Sequence, residues 1–329
     1  MSLWMWLGAG VTALALVLLA WTLAGQWLIA RAHPPAGQFI TVDGVRLHYV
    51  VAGEGPPVLL VHGASSNLQE FTSSLLPELA RRHRVIAFDR PGFGHSQRPS
   101  GPGWLDPRQQ AELLLKAGEQ LGLRQPLLVG HSWGGAVVMA ALVHLPERIR
   151  GGVLLGGVAG HWAGPLSWTY SVGDLPVLGR LFAWLLVYPL GQFLVEQGSQ
   201  EVLAPDPLPS GHVERTAVKL ALRPSQFLVN VQDTLRLNEF MQLLSRDYDR
   251  IRQPLLIIHG ERDVLVPFWN HGRRVLPVVP HSELVLLPAT GHAPHHTRTD
   301  EVAAAIDRFS MAHAPQSGDD DLRQASLRP

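Results

Sequence analysis

Cysteine is absent from the 329 residues. That excludes disulfides, zinc–thiolate sites, iron–sulfur clusters and a thiol nucleophile. It leaves the compartment open, because a chain without cysteine suits either side of a membrane. Excess charge is missing as well: Lys+Arg and Asp+Glu number 27 each, and no basic block recurs. Binding driven by neutralising nucleic-acid phosphates is thereby disfavoured. Charged residues make up only 16% against 46% hydrophobic, a balance that supports a large core and argues against intrinsic disorder. No H-E-x-x-H, phosphate-binding G-x-x-x-x-G-K-[ST] or dinucleotide fingerprint occurs, and His295-His296 are adjacent rather than at helical ligand spacing. Neither a metal nor a cofactor is therefore expected. The length fits two domains of about 150 residues, or one large α/β domain carrying an insertion.

What is present begins with an uncharged, almost wholly apolar run from Leu3 to Ala24. As a helix it would measure about 33 Å, enough to cross a hydrocarbon layer of about 30 Å. Trp4, Trp6 and Trp27 stand near its two ends, where aromatic rings favour the membrane interface. Ala30-Arg31-Ala32 has the form of a signal-peptide cleavage site, but no Lys or Arg precedes the apolar run and the run is long for a signal. The expectation is an uncleaved single-pass transmembrane helix within residues 1–32. Arg31 and Arg46 follow the span, which by the positive-inside tendency places the rest of the chain on the cytoplasmic face.

His33-Pro34-Pro35-Ala36-Gly37 cannot continue the helix and reads as a linker. Two strand-like runs, Gln38–Val42 and Val45–Ala52, flank Asp43-Gly44, a hairpin signal. Short, continuously apolar runs follow at Val58–Val61, Val85–Phe88, Leu127–Val129, Val153–Leu155, Leu255–Ile258 and Leu284–Leu287. Such runs suit strands buried on both faces of a parallel sheet. Helical patterns lie between them at Leu68–Arg82, Asp106–Leu121, Gly135–Leu145, Trp269–Leu276 and Asp300–Phe309. The alternation predicts a doubly wound, mostly parallel α/β sheet. Residues 161–252 break the rhythm with helical spacing and no strand pattern, and are expected to form an inserted helical cap. Residues 33–160 and 253–312 would then be the α/β core, and the polar stretch 313–329 a disordered tail.

The sharpest local signal is Gly130-His131-Ser132-Trp133-Gly134, set between an apolar strand and a helical run. G-x-S-x-G in that context is a tight strand-to-helix turn that pushes the serine hydroxyl out of the sheet. A serine needs a base to take its proton and an acid to orient that base. In this architecture both should follow the serine, acid first, each just past a late strand. Asp263 and His292 meet that order and placement. Glu261, His295 and His296 are rivals by proximity; Glu261 reads more naturally as a solvated loop charge, and the two histidines lie further into their loop. Asp89 precedes the serine and suits a turn-organising role through backbone amides. Two backbone N–H groups should receive the developing oxyanion: that of Trp133, and that of Ala64 in the loop after Val58–Val61. Ser65 and Ser66 could be pocket hydroxyls or helix caps.

His62-Gly63, Asp89-x-Pro91-Gly92-x-Gly94-x-Ser96, Gly130-His131-Ser132-Trp133-Gly134-Gly135, Gly260-Glu261-Arg262-Asp263-x-x-x-Pro267 and Gly291-His292-Ala293-Pro294 together resemble the α/β-hydrolase superfamily. The resemblance covers about Phe39 to Phe309, outside the insertion. It implies Ser132 as nucleophile, Asp263 and His292 as its partners, and Ala64 and Trp133 as oxyanion-hole amides. Serine at the elbow argues against the dehalogenase and epoxide-hydrolase branches, which carry Asp there. Members often have Glu five residues after the catalytic His, where this chain has Thr297. The insertion carries Trp162, Trp168, Tyr170, Phe182, Trp184, Tyr188, Phe193 and Phe227, which points to an apolar crevice beside a membrane. The expected activity is cleavage of carboxylic esters of lipophilic or small aromatic substrates through an acyl-enzyme. The same triad could act on C–C or amide bonds or in acyl transfer, and a binding or assembly accessory protein could use the same fold.

Overall fold

The computed structural model describes residues 2–164 and 166–313; the expected tail, residue 313 apart, lies outside them. Helix α1 (Leu3–Ala32) precedes a sheet of eight strands: β1 (Gln38–Val42), β2 (Val45–Ala52), β3 (Pro57–Val61), β4 (Arg84–Phe88), β5 (Leu127–His131), β6 (Gly151–Leu155), β7 (Leu255–Gly260) and β8 (Glu283–Leu287). Their order is β1-β2-β4-β3-β5-β6-β7-β8. β2 pairs antiparallel with β1 and β4, and every other pairing is parallel. Asp43 and Gly44 close the first hairpin with φ of 49° and 77°, the two positive values that a primed two-residue turn demands.

The apolar strands serve two cores at once. Leu59, Val61, Ile86 and Phe88 pack into one cluster with α4 (Pro107–Gln120) and α5 (Trp133–His144). Their neighbours Val58, Leu60, Val85 and Ala87 pack into the other, against α2 (Gln69–Thr72), α3 (Leu75–Leu79) and α13 (Thr299–Ala312). Successive side chains of a strand point to opposite faces, so a run with no polar residue needs helices on both sides, and the sheet is doubly wound.

Two expected helices are broken. Leu68–Arg82 is divided into α2 and α3, because Ser73 and Ser74 donate their hydroxyls back to the Glu70 carbonyl and Pro77 lacks an N–H. Trp269–Leu276 is a 3₁₀ turn (Phe268–Asn270) followed by α11 (Gly272–Val275). Between β6 and β7 the described chain is helical: α6 (Trp168–Gly173), α7 (Leu178–Phe182), a π turn (Ala183–Val187), α8 (Tyr188–Leu203), α9 (His212–Arg215) and α10 (Pro224–Leu244). α12 (Pro294–Thr297) precedes α13.

α1 takes in the apolar run Leu3–Ala24 and continues to Ala32. At 30 residues it is about 45 Å long. Most of it is exposed, but Thr22, Gly25 and Ile29 are buried. Only glycine fits at Gly25, where a Cβ would overlap the Tyr188 ring. Ile29 joins Tyr188, Ala217 and Leu220 in a small cluster, and Trp21 meets Phe193 edge-on at 6.4 Å. The apolar helix thus packs on the insertion. Both α1 and the stretch Leu178–Leu203 are long and apolar enough to cross a membrane.

Candidate active site

β5 ends in a turn that places Ser132 at φ 51°, ψ −117°, directly before α5. A non-glycine residue held there stores about 1–3 kcal/mol of strain. Backbone bonds hold it: Ser132 N–H donates to Leu155 O (3.2 Å), and Ser132 O accepts from Gly135 N (2.9 Å) and Val158 N (2.9 Å). A Cβ on Gly134 would strike the Val61 carbonyl, and one on Gly130 would strike Gly134. The motif's glycines are therefore required by close backbone approach.

Asp263 and His292, leaving the ends of β7 and β8, meet directly. His292 Nδ1 lies 2.8 Å from Asp263 Oδ2. Asp263 Oδ1 accepts from the amides of Leu265 (2.9 Å) and Val266 (2.8 Å), which fixes the carboxylate plane. Burial would raise this carboxyl, but the imidazoles of His292 and His259 outweigh it and hold it well below the ordinary range. His259, which sequence reasoning passed over, places Nε2 3.3 Å from Asp263 Oδ2 and donates to Val266 O at 2.7 Å. Ser132 and this pair share one end of the sheet. Ser132 is bonded to residues at the end of β6, and a Cβ on Gly156, just after β6, would come within 3.5 Å of both Asp263 Oδ2 and His292 Nδ1. Glu261 is exposed, and His295 and His296 pair with neither Asp263 nor Glu261 among the described residues.

The loop after β3 carries Ala64. Neither its amide nor that of Trp133 donates to an acceptor among the described residues, so both are free for an incoming oxygen. Arg90, wholly buried between the rings of Phe93 and Trp133, holds this loop. It donates to His62 O (3.1 Å) and Gly63 O (3.2 Å), and pairs with Asp233 of α10 (3.2 Å). Burial lowers its guanidinium to about 10, with Asp233 opposing, so it stays charged at neutral pH. Asn230, also of α10, accepts from Ser65 N at 2.7 Å. His62 is committed at both ring nitrogens, Nδ1 donating to Gly63 O and Nε2 accepting from Arg90 N; burial and Arg90 push it down to about 4. Asp89 organises turns as expected, accepting from Leu68 N, His95 N and His48 Nδ1. Neither Ser65 nor Ser66 caps α2, whose N-cap is Leu68; Asn67 Oδ1, one residue earlier, accepts from Gln69 N at 2.9 Å.

An apolar cavity of about 460 Å³ opens between the insertion and Ala64, with Leu186, Leu194, Val202 and Phe227 among its walls. Trp168, Phe182 and Phe227 line it: Trp168 meets Phe182 edge-to-face at 5.8 Å, and Phe182 meets Phe227 at a tilt, 5.7 Å between centroids. Tyr188 packs against α1 instead. One grouping had no sequence signal: Glu70, His131 and His295, far apart along the chain, converge at metal-ligand separation.

A model of the alpha/beta hydrolase family matches residues 58–305. The chain is 29% identical over 291 residues to haloalkane dehalogenase 2 of Mycobacterium tuberculosis, covering 85% of this chain and 96% of that protein. It is 30% identical over 276 residues to the 2-hydroxy-6-oxo-2,4-heptadienoate hydrolase of Pseudomonas putida, covering 80% and 92%. Among solved structures, a bacterial membrane phospholipase A superposes with TM-score 0.64 at 23% identity, covering 94% of this chain and 97% of that one. With the strand order, the strained serine turn and the family match in agreement, the chain belongs to the alpha/beta hydrolase family and is an enzyme.

Proposed function

We propose that this chain is a single-pass membrane serine hydrolase that cleaves carboxylic esters of lipophilic or small aromatic substrates. In this reading residues 1–32 are the anchor, 33–160 and 253–312 the catalytic core on the cytoplasmic side, and 161–252 a cap over the site. The observation that carries it is the 2.8 Å bond between Asp263 and His292, set on strand ends beside the strained Ser132 turn and its two free amides. His292 takes the Ser132 proton as Oγ attacks the ester carbonyl, while Asp263 keeps Nδ1–H in place and stabilises the imidazolium. The amides of Ala64 and Trp133 receive the oxyanion. His292 then returns the proton to the leaving alcohol, and water repeats the sequence on the acyl-enzyme. The apolar cavity beside Ala64 accepts the acyl or aryl group. The likeness to a bacterial membrane phospholipase A supports a lipid-like ester.

Halide displacement, named for one relative, is set aside because Ser132 stands at the elbow where that branch carries Asp. The second reading is hydrolysis of a C–C bond with the same residues, favoured by the likeness to the heptadienoate hydrolase. The test is fluorophosphonate labelling of the detergent-solubilised chain, with p-nitrophenyl ester turnover across an acyl-length series. Wild type should label and turn over, and Ser132→Ala should do neither. Unchanged turnover in Ser132→Ala removes the serine from the mechanism. Faster cleavage of a dienoate ring-fission substrate than of any ester moves the assignment to the second reading.

A further inference from the structure

Glu70 of α2, His131 at the end of β5 and His295 of α12 come from the loops that follow β3, β5 and β8. Their nearest ligand atoms all lie within 4.8 Å of one another, and all three residues are buried. His295 is wholly buried, and neither of its ring nitrogens has a partner. A neutral imidazole has one N–H to donate and one lone pair to fill, so an apolar burial that satisfies neither is costly. Three rings stand beside it: His131 of the same cluster at 4.4 Å, His296 at 4.2 Å and Phe71 at 5.6 Å, centroid to centroid.

We propose that Glu70, His131 and His295 form a site for a divalent transition metal of the zinc class. Two imidazole nitrogens and one carboxylate oxygen are the donor set such ions take. Bonds of about 2.0–2.2 Å place tetrahedral ligand atoms about 3.3–3.6 Å apart, so the present spread closes with modest side-chain rotation. His131 Nδ1 now faces Glu70 Oε1 at 3.1 Å, and Glu70 Oε2 accepts from Ser66. Metal binding replaces the His131–Glu70 hydrogen bond: the imidazole proton moves to Nε2, which faces His292 O at 3.4 Å, and Nδ1 is left with a lone pair for the ion. His295 needs to lose nothing, because its neutral tautomer already offers a lone pair. The ion would tie together the three loops that carry Ala64, Ser132 and His292, and act as a clamp on the site rather than as a participant in bond cleavage.

The test uses the untagged full chain in detergent, stripped with a chelator, loaded with ZnCl₂ or CoCl₂, and desalted. Elemental analysis should find about one zinc per chain, and the cobalt form should show the visible absorption of a low-symmetry tetrahedral ion. The near-isosteric variants Glu70→Gln and His295→Gln, checked for native circular dichroism, should each lower zinc content at least tenfold. A wild-type chain without zinc, or without the cobalt band, overturns the proposal. So does zinc content unchanged in both variants. The readout is metal content, so it stands or falls separately from the ester-hydrolase reading.

Discussion

Asp233→Ala would separate fold stability from catalysis. The carboxylate is wholly buried and pairs with Arg90 at 3.2 Å and Arg98 at 2.7 Å. Removing one partner of a buried pair costs roughly 3–5 kcal/mol, because a charge is left uncompensated. Arg90 keeps its bonds to His62 O, Gly63 O and Gln110 Oε1 and its two aromatic faces. The lower end, about 3 kcal/mol, is therefore expected. At about 2–4 °C per kcal/mol, the melting temperature should fall by roughly 6–12 °C. Turnover should fall as well, since Arg90 grips the two carbonyls just before Ala64; a loosened donor costs less than the ~10²–10³ of a deleted one, so a drop of ~10–100-fold is expected. The double variant Arg90→Met/Asp233→Leu replaces the pair with apolar volume and should recover most of the melting temperature. It should not recover kcat, because the loop has lost its clamp. The assays are thermal unfolding by circular dichroism and p-nitrophenyl ester kinetics in detergent. A melting temperature for Asp233→Ala within about 2 °C of wild type, or a double variant restored in both readouts, refutes the reasoning.

Ser132→Gly should be more stable than Ser132→Ala by about 1 kcal/mol, because glycine accepts the positive φ without strain; urea titration of the two inactive variants decides it. Asp263 has a depressed folded pKa, so its stability contribution is present above its ordinary value near 3.8 and disappears as pH falls through the lower folded value. Wild type should therefore lose stability steeply below roughly pH 4, and Asp263→Asn should show a flatter decline in urea unfolding across a pH series. Gly198 lines the cavity, and a side chain there meets nothing within 4 Å at its Cβ. Gly198→Phe should move the preferred acyl chain to a shorter length without changing turnover of an acetyl ester; an unmoved preference removes this cavity from substrate binding.

Strands β3 to β7 were legible because each is a short apolar run, and burial on both faces leaves no alternative partner for such a run; β8 was read from its apolar run alone, although its side chains are mostly exposed. The hairpin at Asp43-Gly44 was equally plain, since its residues encode their own backbone angles. That Asp263 and His292 would meet was legible because both follow late strands, and the ends of neighbouring parallel strands lie side by side. The split of Leu68–Arg82 was missed because serine hydroxyls competing for a carbonyl leave the apolar spacing intact. The Arg90–Asp233 pair and the Glu70–His131–His295 grouping were invisible for a different reason. Their members lie on separate elements, and local periodicity carries no information about which distant loops will meet.

Ser132 is located by three main-chain bonds, two of them reaching to the neighbouring strand's end. An alcohol anchored in this way does not depend on the side chains that surround its substrate. If Ser132 is the nucleophile proposed above, replacing the walls of the insertion would redirect what is cleaved without dislodging it. Selectivity and reactivity are thus adjustable on separate dials, in keeping with one scaffold hosting many activities.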